Sequence, residues 1–120
     1  MATILLADDD AAVRDLVRRA LTAEGHSVHV TQDGGEALDY LTANSSSIDL
    51  LVTDVDMPQM DGVALVREAV ALKPSLAVVL MSGFSDQLDR AHGVNARRFA
   101  AISKPFTLDQ IKSAVRAILA

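Results

Sequence analysis

Short apolar runs alternate with helical patterns along the whole chain, and this alternation restricts the fold more than any other feature of the sequence. The runs that we interpret as strands are residues 4–7, 27–31, 48–53, 76–81 and 99–102. Short runs rich in branched residues, separated by helices, are typical of buried parallel strands joined by crossover connections. We therefore predict an α/β fold with helices on both faces of a parallel sheet.

The connection rules for such sheets indicate how the strands are ordered. The arrangement that we predict is flavodoxin-like: a (βα)5 doubly wound parallel sheet with strand order 2-1-3-4-5 and right-handed crossovers. In that order the direction of winding changes between the first and third strands, so the loops after them open a crevice where ligands bind. Residues that follow these two strands are therefore the first candidates for a functional site.

Capping residues and helix breakers place the helices between the strands. Gly25 stands where the first helix needs a left-handed end, and Asp33 with Glu36 forms a start like a capping box for the second. A weak pattern at 86–91 predicts a fourth helix, and Thr107 caps the last one. The sequence therefore predicts five strand-helix units.

Composition excludes several classes of function. The chain has 120 residues, half of them hydrophobic, so we expect a single domain over residues 1–120. A formal net charge of -5 argues against direct binding to nucleic acid or to an anionic membrane surface. The absence of cysteine excludes disulfides and thiolate sites. With neither a signal peptide nor a membrane span in the pattern, we expect a cytoplasmic location.

Carboxylates follow the first and third strands, where the crevice is expected. Asp8, Asp9 and Asp10 come directly after the first strand, and Asp54 comes directly after the third. Aspartates near strand ends also cap helices, and we assign that role to Asp10 and to Asp61. The remaining three acids require another explanation.

The residues at the strand ends suit phosphoryl transfer. Ser82 follows the fourth strand and Lys104 the fifth, so a hydroxyl and an ammonium join the carboxylates. Carboxylates in close proximity have raised pKa values unless a hard cation neutralises them, and Mg²⁺ prefers oxygen ligands. We predict Asp8 and Asp9 as metal ligands and Asp54 as the nucleophile that forms an acyl phosphate.

Four stretches of the chain resemble the signature regions of the receiver domains of two-component response regulators, the CheY-like family. They are residues 5–10, 51–62, 81–83 and 103–106, in the family's order and spacing. The resemblance spans essentially the whole chain. It implies a signalling domain that assists its own phosphorylation and dephosphorylation rather than a conventional enzyme.

The resemblance assigns a role to each acid of the site. It implies that Asp54 accepts a phosphoryl group from a phosphohistidine on a histidine kinase or a histidine phosphotransferase. It also implies that Asp9, with help from Asp8, binds Mg²⁺ together with Asp54, and that the main-chain carbonyl of Asp56 is a further ligand.

The resemblance also identifies the switch residues, with one departure. Ser82 and Lys104 would contact the phosphoryl group, and a cis peptide would precede Pro105. Many receivers carry an aromatic residue three positions before the lysine, where this chain has Ala101. Phe99 has the same strand parity, but we interpret it as a core residue and expect activation to pass through the loop after Ser82.

Two other functions are weighed against this one. The sequence Asp54-Val55-Asp56 also matches the nucleophile pair of a haloacid-dehalogenase-type phosphatase, in which the second aspartate is a general acid. One observation argues against that alternative. Met57 and Pro58 follow Asp56, whereas in that phosphatase family we expect a turn with a small hydroxyl residue there. A flavin-binding function needs a neutral loop after the first strand, and three aspartates there would repel a flavin phosphate.

The output of such a domain is expected on a protein-binding surface. We predict a downstream protein target on the face of the fourth helix, the fifth strand and the last helix. The chain ends at Ala120, directly after the last helical pattern, so we expect a stand-alone receiver. Within that group it looks most like the CpdR-like receivers, a resemblance that implies an adaptor for regulated proteolysis.

Overall fold

A computed structural model of the chain describes residues 1–58, 60–83 and 98–120. The strands and helices in these ranges are β1 (Thr3–Ala7), α1 (Ala11–Ala23), β2 (Ser27–Thr31), α2 (Gly34–Asn44), β3 (Leu50–Asp54), α3 (Gly62–Leu72), β4 (Ala77–Ser82), β5 (Arg98–Ser103) and α4 (Leu108–Leu119). One turn of 3-10 helix, Ser45–Ser47, follows α2. The helix predicted at 86–91 lies outside the described residues.

The five strands form one parallel sheet in the order β2-β1-β3-β4-β5, which confirms the predicted topology. The register aligns the carboxyl ends of the central strands. Asp54 lies opposite Met81, and Ser82 lies opposite Ser103, the residue before Lys104. The candidate residues on β3, β4 and the turn after β5 therefore meet at one edge of the sheet.

Alternate residues of the central strands point into two apolar layers. On one face, Leu5 and Leu51 pack with the layer that α2 and α3 cover, and on the other face Leu6 and Val52 pack with α1 and α4. These four side chains are fully buried, and each contributes about 1.5–3 kcal/mol relative to an exposed position. Burial on both faces explains why the strands are continuously apolar rather than alternating.

Strands β3 and β4 are displaced along the chain from their predicted positions. β3 begins at Leu50 instead of Ile48 and includes Asp54, while β4 includes Ser82. The pairing continues because the N–H of Val55 donates to the carbonyl of Met81 at 3.0 Å. Asp54 and Ser82 are therefore the last residues of paired strands, not the first residues of loops.

The capping residues act as the sequence predicts. Gly25 follows α1 with a φ of 92°, and the side chain of Asp33 accepts from the N–H of Glu36 at 2.8 Å. Thr107 begins α4 with a complete capping box. In the described part of the chain, no helix is both long enough and apolar enough to cross a membrane.

Two expectations about element ends and burial are wrong. Helix α2 continues past Leu41 to Asn44, whose side-chain amide donates to the carbonyl of Tyr40 at 2.9 Å. Phe99 is 39% exposed and is not a core residue. It lies on an edge strand, where Ala100 and Ile102 take the positions that pack against the core.

Candidate functional site

The carboxyl edge of the sheet gathers three aspartates and one lysine. One carboxylate oxygen from each of Asp8, Asp9 and Asp54 lies within 4.8 Å of the other two. The Nζ atom of Lys104 lies 3.2 Å from Oδ2 of Asp8 and 3.3 Å from Oδ2 of Asp54. The side chains that the sequence places after different strands are thus in mutual contact.

Asp8 is fully buried, and hydrogen bonds hold it on all sides. Its N–H donates to the carbonyl of Thr31 at 3.2 Å, and its carbonyl accepts from Nη1 of Arg14 at 2.8 Å. Its Oδ1 accepts from the N–H of Asp10 at 2.9 Å, and its Oδ2 accepts from Lys104. Burial raises the pKa of Asp8 above its ordinary value, although the Asp10 N–H and Lys104 oppose that shift.

Asp54 combines burial with a neighbouring negative charge. The residue is 6% exposed, and its Oδ1 accepts from the N–H of Val55 at 2.9 Å. Burial, and then the charge of Asp8, raise the pKa of Asp54 to about 6, while Lys104 acts to lower it. At neutral pH the carboxylate is ionised but poorly neutralised, which is the condition under which a hard cation binds.

Lys104 stays charged in this environment. Burial lowers the pKa of Lys104, but the charges of Asp8 and Asp54 outweigh that effect and raise the pKa above its ordinary value. The N–H of Lys104 donates to the carbonyl of Ser82 at 2.7 Å, so the turn after β5 is joined to the end of β4. The peptide between Lys104 and Pro105 is cis.

The other candidate residues occupy different positions. Ser82 is buried at the end of β4, next to the turn that carries Lys104. Asp56 is exposed in the loop after Asp54, and its side chain is not part of the carboxylate group found among the described residues. Ala101 is exposed on β5 and lines a groove of about 480 Å³ with residues of α4.

Asp10 and Asp61 are helix caps, as predicted. The side chain of Asp10 accepts from the N–H of Ala12 at 2.9 Å at the start of α1. The side chain of Asp61 accepts from the N–H of Ala64 at 2.9 Å at the start of α3.

Sequence reasoning did not identify Gly62 as part of the site. A Cβ atom on Gly62 would lie 1.9 Å from the carbonyl oxygen of Asp54, so only glycine allows α3 to start against this strand end. The N–H of Gly62 also donates to the carbonyl of Val55 at 2.8 Å. The Asp61–Gly62 pair in the sequence was a turn signal, but a turn signal does not reveal which atoms the glycine approaches.

An apolar groove lies beside the acidic site. Its volume is about 400 Å³, and its lining includes Val13 and Leu16 of α1 together with Lys104, Pro105 and Phe106. Leu16 is 42% exposed and contributes apolar surface to this groove. The groove and the acidic site share Lys104 as a common wall.

The chain is similar to known proteins over nearly its whole length. The family model for the response regulator receiver domain matches residues 4–116. Response regulator MprA of Mycobacterium sp. (strain KMS) is 36% identical over 116 residues, which are 97% of this chain and 50% of MprA. Sensor kinase CckA of Brucella abortus (strain 2308) is 35% identical over 118 residues, which are 98% of this chain and 12% of that kinase. The chain therefore spans half of the first relative's length and a small part of the second's.

Comparison with solved structures also finds response regulators. The crystal structure of response regulator protein TrrA from Thermotoga maritima, in complex with Mg²⁺-BeF, superposes with a TM-score of 0.85. The two sequences are 25% identical, and the match covers 98% of this chain and 99% of TrrA. The similarity thus includes the whole sheet and not the site alone.

Proposed function

This chain belongs to the response regulator receiver domain family of two-component systems, and from that membership we propose that it accepts a phosphoryl group on Asp54 in a magnesium-dependent reaction. The observation that carries the proposal is the group of Asp8, Asp9 and Asp54 carboxylates, with Lys104 3.3 Å from Asp54. Two buried carboxylates that share one ammonium, with the exposed Asp9 carboxylate beside them, suit the transfer of a dianionic group when a divalent cation is also bound.

The residues that hold the cation are Asp8, Asp9 and Asp54, together with the main-chain carbonyl of Asp56. All of these donors are oxygen atoms, which Mg²⁺ prefers, and a set this small leaves positions for water or phosphoryl oxygens. The raised pKa values of Asp8 and Asp54 support the assignment, because the protein alone does not neutralise these two carboxylates. When bound, Mg²⁺ supplies the missing positive charge.

The chain's own groups perform the transfer. Oδ1 of Asp54 accepts from the N–H of Val55, and Oδ2, which faces Lys104, attacks phosphorus and forms a phosphorus–oxygen bond. The phosphorus–nitrogen bond to the donor histidine breaks, and its electron pair returns to the imidazole. Lys104 stabilises the charge on the phosphoryl oxygens, and the hydroxyl of Ser82 donates a hydrogen bond to one of them. The same groups assist the later attack of water on phosphorus, which breaks the bond to Oδ2 and releases inorganic phosphate and the Asp54 carboxylate.

Receiver domains take their phosphoryl group from histidine kinases, so the donor is a histidine kinase or a histidine phosphotransferase. The groove formed by Val13, Leu16, Pro105 and Phe106 supports a docking position for it. An apolar helix packed there would bring its histidine toward Lys104 and Asp54, because Lys104 forms a wall of both the groove and the acidic site.

The output is a protein-binding surface on β5 and α4, with the helix predicted at 86–91 as its third part. Ala101 takes the place of the usual switch aromatic, so Ser82 is the switch residue that engages the phosphoryl group. The target is a protein and not nucleic acid or membrane, which agrees with the formal net charge of -5. A cytoplasmic adaptor role in regulated proteolysis is the specific form of this proposal.

A phosphodonor assay tests the proposed function. Wild-type protein, Asp54→Asn and Asp61→Asn are incubated with acetyl phosphate, with and without Mg²⁺, and analysed by intact mass spectrometry. Asp61→Asn is the matched control, because asparagine retains the helix cap. We expect one phosphoryl adduct on the wild type and the control, only with Mg²⁺, and none on Asp54→Asn.

Absence of an adduct on the wild type would refute the proposal. Turnover of p-nitrophenyl phosphate without a stable adduct would favour the haloacid-dehalogenase-type phosphatase instead. The family match over residues 4–116 and the position of the Asp56 side chain outside the carboxylate group favour the receiver.

A further inference from the structure

Arg14 makes a contact that neither the phosphoryl chemistry nor the sequence pattern requires. Its Nη1 donates to the main-chain carbonyl of Asp8 at 2.8 Å, reaching back from α1 to the end of β1. Its own N–H donates to the carbonyl of Asp10 at 2.9 Å, one of the first hydrogen bonds of α1. The side chain therefore starts from ordered helical backbone and closes the loop formed by residues 8–10.

The carbonyl that Arg14 holds belongs to the peptide between Asp8 and Asp9. The rest of Asp8 is fixed by Thr31, by the N–H of Asp10 and by Lys104. Asp9, in contrast, is exposed and lies in the loop between β1 and α1. Rotation about the Cα–C bond of Asp8 carries this peptide and the Cα of Asp9 with it, and leaves the side chain of Asp8 in place. A hydrogen bond that fixes the Asp8 carbonyl therefore restricts where the Asp9 carboxylate lies relative to those of Asp8 and Asp54.

We propose that Arg14 is a positioning residue for the magnesium ligands, because its hydrogen bond to the Asp8 carbonyl holds the peptide that orients Asp9. The inference rests on the proposed function, in which Asp8 and Asp9 bind the cation. Partners that orient metal ligands commonly change metal affinity by tenfold or more when they are removed, although they do not touch the metal.

Charge alone predicts the opposite result, which makes the proposal easy to test. The guanidinium of Arg14 is positive and lies next to a cation site, so its electrostatic effect weakens Mg²⁺ binding. A variant that loses only this charge effect would bind Mg²⁺ more tightly. A variant that loses the positioning of Asp9 binds Mg²⁺ more weakly.

Mg²⁺ titration by calorimetry separates these effects in wild type, Arg14→Met, Arg14→Lys and Arg18→Met. Methionine preserves the length and apolar packing of the side chain but has no donor, while lysine retains the charge and can donate to the same carbonyl. Arg18 is the matched control, since it lies on the same helix and pairs with Asp15 at a side-chain exposure of 41%. Thermal unfolding without Mg²⁺ is measured for each protein.

We expect the Kd for Mg²⁺ to rise about tenfold in Arg14→Met and to remain at the wild-type value in Arg18→Met. Arg14→Lys should lie closer to the wild type than to Arg14→Met. An unchanged or lower Kd in Arg14→Met overturns the inference, even if its unfolding temperature falls. If Arg14→Met does not fold, Arg14→Ala replaces it with Arg18→Ala as its control, and equal Kd values for these two variants also overturn the inference.

The calorimetry gives a different result if the proposed function itself is wrong. In that case the wild-type protein itself shows no saturable binding of Mg²⁺, and both the function and the role of Arg14 are refuted. Binding by the wild type that is insensitive to Arg14 refutes the role of Arg14 alone.

Discussion

The Nζ atom of Lys104 lies 3.3 Å from Oδ2 of Asp54, and the same nitrogen lies 3.2 Å from Asp8. One ammonium thus faces two buried carboxylates. The pKa of Asp54 nevertheless remains raised to about 6, so the lysine compensates only part of the cost of burying these acids. The protein thus supplies too little positive charge to neutralise these carboxylates. The first three predictions test this.

Replacement of Asp54 by asparagine should stabilise the metal-free protein at neutral pH. Burial raises the pKa of Asp54 from 3.8 to about 6, so the folded state holds this proton more tightly than the unfolded state. Stability therefore falls as the pH rises through that interval and stays lower above it. We expect Asp54→Asn to be more stable than wild type by about 1–3 kcal/mol at pH 8 in EDTA. Urea unfolding at pH 4 and pH 8 checks this, and an equal difference at both pH values would contradict it.

Mg²⁺ should stabilise the fold through Asp9 but not through Asp10. A ligand present at one hundred times its Kd adds about 2.7 kcal/mol to the free energy of unfolding. We expect that gain in the wild type and in Asp10→Asn, because asparagine caps a helix as well as aspartate does. Asp9→Asn should lose most of it. Equal Mg²⁺-dependent shifts in the two variants would show that Asp9 is not a ligand.

Removal of the Lys104 charge should destabilise the metal-free protein mainly above pH 6. In Lys104→Met the pKa values of Asp8 and Asp54 rise further, since Lys104 acts to lower both. We expect a loss of about 2 kcal/mol at pH 8, below the cost of breaking a fully buried pair because the ammonium is partly exposed. The loss should be smaller at pH 4, which is below the pKa of about 6 of Asp54.

The partly exposed Lys112 of α4 supplies the control for this experiment. Lys112→Met should change the urea midpoint little at either pH. A loss in Lys104→Met that does not depend on pH would indicate lost packing rather than lost charge.

Substitution of Gly62 by alanine should be strongly destabilising. The new Cβ would lie 1.9 Å from the carbonyl oxygen of Asp54, so the start of α3 has to move away from the end of β3. We expect a loss of about 3 kcal/mol or more, at the upper end of overpacking effects. Gly83→Ala is the control, since a Cβ there would meet no atom of the residues that the structure describes within 4 Å. Comparable urea midpoints for the two variants would refute the steric argument.

The sheet and the charged site could be predicted from the sequence because they depend on pattern and on strand ends. Asp8 and Asp54 follow apolar runs, and parallel strands bring their carboxyl ends to one edge. The exact end of β3 could not be predicted, since the hydrogen bond between Val55 and Met81 that extends the pairing depends on register. Apolar character alone also could not show that Phe99 lies on an edge strand and is exposed.

Contacts made through main-chain atoms also could not be predicted from the sequence. Arg14 donates to a carbonyl, and Gly62 is required by the close approach of a carbonyl. Carbonyls are present at every position of a sequence, so their neighbours become known only from the conformation of the loop.

The hydrogen bonds around Asp8 affect how related sequences that lack the phosphorylated aspartate should be interpreted. The Asp8 side chain accepts from the N–H of Asp10 and from Lys104, so its removal would leave both donors without their acceptor even in a protein that has lost phosphorylation. Its retention in such a relative is therefore weak evidence for activity. Asp9 is exposed, and none of the described residues donates a hydrogen bond to its side chain, so the loss of an acid at that position is the more informative sign that a receiver no longer binds the cation.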